Sequence, residues 1–244
     1  MSAERWQPSL VIPQLPRGEV HVWIADLDAN EDQTHEFSRM LSREEQQRAE
    51  NYSKTKDRDR FIAARGILRA LLSHYLNVRS ESLRFGVFAN GKPILTAPVT
   101  WLNFNLSHSQ NLGLFAIARD AAVGVDLEWI RFGLAEDMIL ARTFSSRELA
   151  SLRTLPALAQ DEAFFLGWTR KEALLKATGL GLTMEMAQVE VSLNPAQPAR
   201  LLAVAGSADE ADRWLLSDLP TVEGYKAALA VEGHSWIVRC WRWI

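Results

Sequence analysis

The sequence predicts an α+β fold in two similar halves, and three observations predict it. Two long segments, 57–76 and 160–178, have the apolar spacing of helices. The other apolar runs are short enough to be strands. Each long helix also follows an apolar strand-like run, 20–26 in the first case and 123–130 in the second. The same order met twice in one chain points to duplication. With 244 residues, 48% of them hydrophobic, there is material for one large domain or two small ones with a sizeable core.

Local rules justify the elements in turn. A proline-bearing lead, 7–16, runs into the apolar Val20–Asp26, bounded by Gly18 and Asp28. Two short helical patterns follow. The second starts at Ser42 with Glu45 three residues on, the pattern of a capping box. In 57–76, Phe61, Ala64, Leu68, Leu71, Leu72 and Tyr75 recur at spacings of three and four, with Arg58, Arg65 and Arg69 at polar positions between them. Residues 83–88 read as a strand closed by an Asn90-Gly91 turn. Strand-like runs then occupy 101–106, 112–118 and 123–130. Ser145 with Glu148 offers another capping box, and the helix 160–178 stops near Gly179. Strands are expected at 187–193, 199–204, 213–219, 225–232 and 235–243, the last packing its tryptophans on the second half. No linker separates the halves, which are set at 1–118 and 119–244.

Composition excludes several classes. No apolar run approaches the eighteen or so residues of a membrane span, and MSAERWQPSL has no basic-then-apolar leader. A single cysteine, Cys240, allows neither an intramolecular disulfide nor a cysteine cluster. A cytoplasmic protein without membrane contact is the expectation. The net charge of −3 argues against non-specific nucleic-acid binding. That charge is uneven: residues 39–69 hold nine basic and five acidic side chains, a local excess of four. The first half stands at +1 and the second at −4.

Three constellations carry chemistry. In Val123-Gly124-Val125-Asp126-Leu127-Glu128, a strand puts both carboxylates on one face. Side by side and partly buried, they require either a proton or a cation. An oxygen-rich site of this kind suits Mg²⁺. Alone, the pattern reads first as an exposed polar strand face. In the helix 160–178, Trp168, Glu172 and Lys176 form a stripe at i, i+4, i+8. Glu172 could bind a metal or accept a proton, and Lys176 could hold a phosphate. Alone, this is first an ordinary Glu–Lys pair. In Phe104-Asn105-Leu106-Ser107-His108-Ser109, hydroxyl and imidazole donors at a strand end could ring a phosphate, although a turn histidine is the simpler reading. Gly91-Lys92-Pro93 adds a turn with a cation. There is no Walker A loop, G-x-G-x-x-G, H-E-x-x-H or G-x-S-x-G elbow.

In combination these pieces are far more specific. G-K-P, then F-N-x-S-H-S, then V-G-V-D-x-E, then W-x-x-K-E-A-x-x-K stand here as Gly91–Pro93, Phe104–Ser109, Val123–Glu128 and Trp168–Lys176. Their order and spacing resemble the 4′-phosphopantetheinyl transferases, within them the long Sfp-like subgroup. The resemblance covers about residues 20–195, while the last fifty residues match in strand pattern only.

The resemblance implies two α+β halves related by a pseudo-twofold, each a small, mostly antiparallel sheet on a long helix, with coenzyme A in the cleft between them. It implies Mg²⁺-dependent transfer of the phosphopantetheine arm of coenzyme A to a serine of an apo acyl or peptidyl carrier protein, releasing adenosine 3′,5′-bisphosphate. Asp126, Glu128 and Glu172 match the family's Mg²⁺ carboxylates. Glu172, directly or through water, matches the base for the carrier serine. Lys176 matches the lysine at the phosphates, and Lys171 is the motif's other lysine. Ser107 and His108 match the contact to the nucleotide 3′-phosphate, and Arg48 and Arg60 match further basic contacts there. Lys92 falls near the adenine end, and Trp168 is expected to pack beneath the site. One departure stands out: some relatives carry a basic residue where this chain has Glu45. Shorter relatives associate to build the cleft, so this length implies a working monomer. Two other readings remain at this stage: a non-catalytic coenzyme A-binding regulator with the same fold, and an RNA-binding or scaffold protein built on the arginine-rich helix.

Overall fold

Strand alternation and helix capping set the architecture of the computed structural model, which describes residues 6–88, 91–131, 137–181, 183–220 and 222–244. The chain enters through a short strand, β1 (Gln7–Ser9), and the apolar run forms β2 (Glu19–Asp26). Helices α1 (Glu31–Met40), α2 (Arg43–Glu50) and α3 (Thr55–Leu76) follow. Asn30 and Ser42 start the first two with complete capping boxes. Asn77, left-handed at φ 51°, ends the third. A hairpin of β3 (Arg84–Val87) and β4 (Pro93–Ala97) leads to β5 (Leu102–Ser109) and β6 (Leu112–Arg119). The expected Asn90-Gly91 turn lies at Asn90 outside the described residues, and Gly91 itself has φ +81°. The strand after that turn, β4, was not anticipated.

The order then repeats. Strand β7 (Val123–Trp129) precedes α4 (Asp137–Thr143), α5 (Ser146–Arg153) and the long α6 (Ala157–Thr178). A second hairpin, β8 (Val189–Val191) with β9 (Leu201–Val204), is followed by a single turn, α7 (Ala208–Ala211). The chain closes with β10 (Trp214–Asp218), β11 (Tyr225–Glu232) and β12 (Ile237–Trp243). Gly179, with φ +73°, ends α6 as its position suggests.

Two sheets pack face to face between the two long helices. One has the order β1-β12-β2-β6-β5 and the other β10-β11-β7. Period-2 alternation divides the core into layers. On β2, Trp23 and Ala25 face α3, while Val20, Val22 and Ile24 face the other sheet. On β7, Val123, Val125 and Leu127 fill the layer between the sheets, which frees Gly124, Asp126 and Glu128 for the α6 side. The α+β class and the two similar halves are thus as the sequence indicates.

The final strand is a correction. β12 does not join the sheet of the second half, and its Trp241 and Trp243 pack against the core of the first. It pairs in parallel with β2, Val238 opposite Val20, and its Trp241 stacks on Trp23 at 6.0 Å. The pairing is non-local, and an amphipathic strand sequence does not say which sheet edge receives it. Among the described residues no helix is long and apolar enough to cross a membrane.

Candidate functional site

The site begins with a glycine. A Cβ on Gly124 would stand 2.1 Å from the Ala173 carbonyl oxygen and 2.4 Å from the Ala177 nitrogen. Only glycine lets β7 and α6 approach backbone to backbone. That approach brings Lys176 Nζ to 2.6 Å from Asp126 Oδ1. Ser107 of β5 completes the group, donating its hydroxyl to Asp126 Oδ1 at 2.9 Å and accepting from Lys176 at 2.9 Å. Three motifs from both halves therefore meet at one buried carboxylate.

The remaining carboxylates feel this one. Glu172 is pushed above the ordinary carboxylate value by burial and then by the Asp126 charge. Glu128 is raised by the same two causes in the same order. Asp126 Oδ2 is buried with no hydrogen-bond partner. An orphaned carboxylate oxygen beside two carboxylates raised first by burial and then by its charge is what a divalent cation would relieve, so the chemistry of the set fits Mg²⁺. Among the described residues, however, no three Asp, Glu, His or Cys side chains are gathered as ligands of one ion.

Cations gather on the other side. The crowding of its surroundings lowers His108's pKa although the ring keeps an exposed edge, and the charges of Lys176, Arg48 and Arg60 lower it further. These four predicted residues thus share one neighbourhood. A pocket of about 320 Å³ is walled by Tyr52, Arg60, Phe61 and His108, among others. A second pocket, of about 300 Å³, includes Lys92, Glu172 and Lys176 in its wall. Trp168 lies over Phe164 at 5.9 Å and supports the helix from the core, as expected.

Other predicted residues are placed differently. Lys171 does not reach the cleft. It is fully buried and donates to Glu148 Oε2 at 2.7 Å and to the Met186 and Val189 carbonyls, so every ammonium proton is spent inside the second half. The cause is helical geometry: Lys171 sits about 100° around α6 from Glu172. Lys92 donates to the Ala177 carbonyl at 2.6 Å, at the C-terminal end of α6, and burial lowers its pKa to about 8.

Several of the basic side chains of residues 39–69 are also committed to acids inside the fold. Glu45, at 2.7 Å from each, receives Arg65 and the buried Arg69, which are therefore not polar-face residues. Asp28 takes Arg60 in a two-bond fork at 2.6 and 3.2 Å and Lys56 at 3.3 Å. Arg48 stays exposed over the Phe61 ring. The departure at Glu45 is thereby explained: its carboxylate caps α2 and holds two arginines. Asn105, for which no role was expected, and Ser109, expected among the hydroxyl donors to a phosphate, both accept from backbone N–H groups of β7. Their period-2 spacing with Ser107 was the available signal.

With this geometry in place, family comparisons agree along most of the chain. Residues 122–230 match the model of the 4′-phosphopantetheinyl transferase superfamily, and residues 27–119 match that of the 4′-phosphopantetheinyl transferase N-terminal region. The chain belongs to the 4′-phosphopantetheinyl transferase family. It is 37% identical to 4′-phosphopantetheinyl transferase HetI of Nostoc sp., over the full length of both chains. It is 29% identical to the human L-aminoadipate-semialdehyde dehydrogenase-phosphopantetheinyl transferase, across 64% of this chain and 54% of that one. The solved ACPS–CoA complex of Chronobacterium ammoniagenes is 21% identical at a TM-score of 0.35, covering 47% of this chain and 98% of that chain.

Proposed function

We propose that the cleft between the halves moves the 4′-phosphopantetheine arm of coenzyme A onto a serine of an apo acyl or peptidyl carrier protein. The carrier serine oxygen forms a bond to the phosphorus nearer pantetheine, the bridging P–O bond breaks, and adenosine 3′,5′-bisphosphate leaves with the electron pair. The observation that carries this reading is the Lys176–Asp126–Ser107 group, built from both halves beside His108.

Each residue has a task. Glu172 accepts the serine proton. Its raised pKa strengthens it as a base, which a neutral hydroxyl nucleophile needs. Lys176 offers its charge to the diphosphate. His108, Arg48 and Arg60 hold the nucleotide phosphate, and Lys92 lines the same cleft, whereas Ser107, expected at that phosphate, spends its one proton on Asp126 and braces Lys176 instead. Asp126, Glu128 and Glu172 would hold Mg²⁺, which when bound neutralises charge building on the diphosphate. Residues 1–118 serve the nucleotide and 119–244 the chemistry. One chain supplies both walls, which supports a working monomer. The non-catalytic regulator is not favoured, because the relatives are transferases and the base and lysine are retained.

The decisive experiment incubates the protein with an apo acyl carrier protein, coenzyme A and Mg²⁺ and weighs the carrier. A gain of one phosphopantetheine, abolished by a chelator, is the expected result. No gain on acyl or peptidyl carriers would overturn the reading.

A further inference from the structure

Strands β5 and β7 lie in different sheets, yet they run side by side in register. Asn105 Oδ1 accepts from the Val125 N–H at 2.9 Å. Ser107 Oγ lies 3.4 Å from the Leu127 nitrogen, and Ser109 Oγ accepts from the Trp129 N–H at 3.0 Å. Every second side chain of β5 meets every second amide of β7, with a constant sequence offset. Three side chains thus do for this edge of β7 what a neighbouring strand's carbonyls would do, and edge amides need such partners.

Two of the three also face carboxylates. Ser107 donates to Asp126, and Ser109 donates to Glu128 Oε2 at 3.1 Å. A hydroxyl has a single proton, and the Trp129 amide fixes which way Ser109 can spend it. Its oxygen accepts from the backbone, so its proton goes to Glu128. The carboxylate is therefore tied to its own strand through a two-bond bracket. Without it, Glu128 could swing about its side-chain bonds, away from Asp126, whose charge repels it.

We propose that Ser109 is a positioning residue for the metal-binding carboxylates: it anchors Glu128 beside Asp126 and so pre-forms the divalent-cation site. This rests on the reading of Glu128 as a Mg²⁺ carboxylate. Ser107 is already committed to Lys176 and Asp126, and Asn105 touches only the backbone, so Ser109 alone can be altered without touching the proposed coenzyme A contacts.

The test measures Mn²⁺ affinity of the whole protein without coenzyme A, by titration calorimetry or electron paramagnetic resonance. Ser109→Thr and Ser109→Val share shape and bulk and differ in the hydroxyl. Thr should stay within about twofold of the parent, and Val should bind Mn²⁺ about tenfold or more weakly, the usual cost of losing a carboxylate's supporting hydrogen bond. Glu128→Gln provides the control. If Glu128→Gln weakens Mn²⁺ binding and Ser109→Val matches Ser109→Thr, the positioning role is overturned. If Glu128→Gln binds Mn²⁺ as the parent does, the metal reading itself fails, and this inference with it. Melting temperatures of the Thr and Val proteins, expected to agree within a few degrees, separate a lost bracket from a damaged sheet.

Discussion

The two long helices differ most where their surroundings are most alike. In the first half, Glu45 closes the capping box of α2 and takes the buried Arg69 of α3, whose other bonds go to the Ser80 and Leu83 carbonyls around a short 3₁₀ turn. In the second, Glu148 closes the capping box of α5 and takes the buried Lys171 of α6, whose other bonds go to the Met186 and Val189 carbonyls around another 3₁₀ turn. This is one device built twice: a cap residue, a buried cation and a turn. One and five residues past the buried cation the halves part. The first has Ala70 and His74, lining a wide groove of about 1010 Å³, where the second has Glu172 and Lys176. The duplicated charges hold the fold, and the unduplicated ones face the cleft.

That division can be broken by two adjacent substitutions. Lys171→Met leaves Glu148 charged and buried without its partner, a loss of about 3–5 kcal/mol of stability. Glu172→Gln should leave the melting temperature near that of the parent and lower transfer at least about a hundredfold, as loss of a general base does. Melting curves and carrier-labelling rates check both. A Lys171→Met protein that melts like the parent yet has lost its transfer rate would put the buried lysine back in the chemistry.

The same contrast explains what the sequence makes legible. Capping boxes at Ser42 and Ser145, the stop at Gly179 and the two-face alternation of Val123–Glu128 are local, and the structure keeps them. The stripe Trp168, Glu172, Lys176 was readable because i, i+4 spacing survives any tertiary setting. Whether a cation next to that stripe turns outward is not local. Arg69 and Lys171 look like surface residues until Glu45 and Glu148, more than twenty positions upstream, come to meet them. Charges buried in pairs defeat a polarity rule that expects charge at the surface. Strand β12 defeats it in another way, since any sheet edge satisfies its pattern.

A smaller effect tests the cation side of the cleft. His108 lies among Lys176, Arg48 and Arg60, whose charges join burial in favouring its neutral form. Arg60 is forked to Asp28 and Lys176 is bonded to Asp126, while Arg48 is exposed, and together they keep positive charge around the His108 ring that suits a phosphate. His108→Ala should raise the KM for coenzyme A about tenfold, in line with one hydrogen bond to a charged group. With dephospho-coenzyme A, which lacks the 3′-phosphate, the substitution should change KM little. Steady-state rates with the two substrates decide it, and an equal loss with both would remove His108 from that contact.

The smallest effect is on stability and concerns the acid side. Burial and Asp126 raise Glu128 and Glu172 above their ordinary value of 4.5 in the folded protein. Between that value and the raised one, the folded state holds more protons than the unfolded chain. Stability therefore falls as pH rises through this window, and above it the full repulsion among the carboxylates remains. A divalent cation binds the deprotonated carboxylates and competes with those protons, so its stabilisation is fully expressed only above the window. Saturating Mg²⁺ should raise the melting temperature by a few degrees at a pH of about 8, since about 1 kcal/mol corresponds to about 2–4 °C in a chain of this size. Near pH 5 the rise should be smaller. First-half acids such as Glu45 have their own arginines and no need of an ion, so Glu172→Gln should shrink the Mg²⁺ effect. An equal Mg²⁺ shift at both pH values, unchanged in that variant, would place the ion elsewhere on the protein.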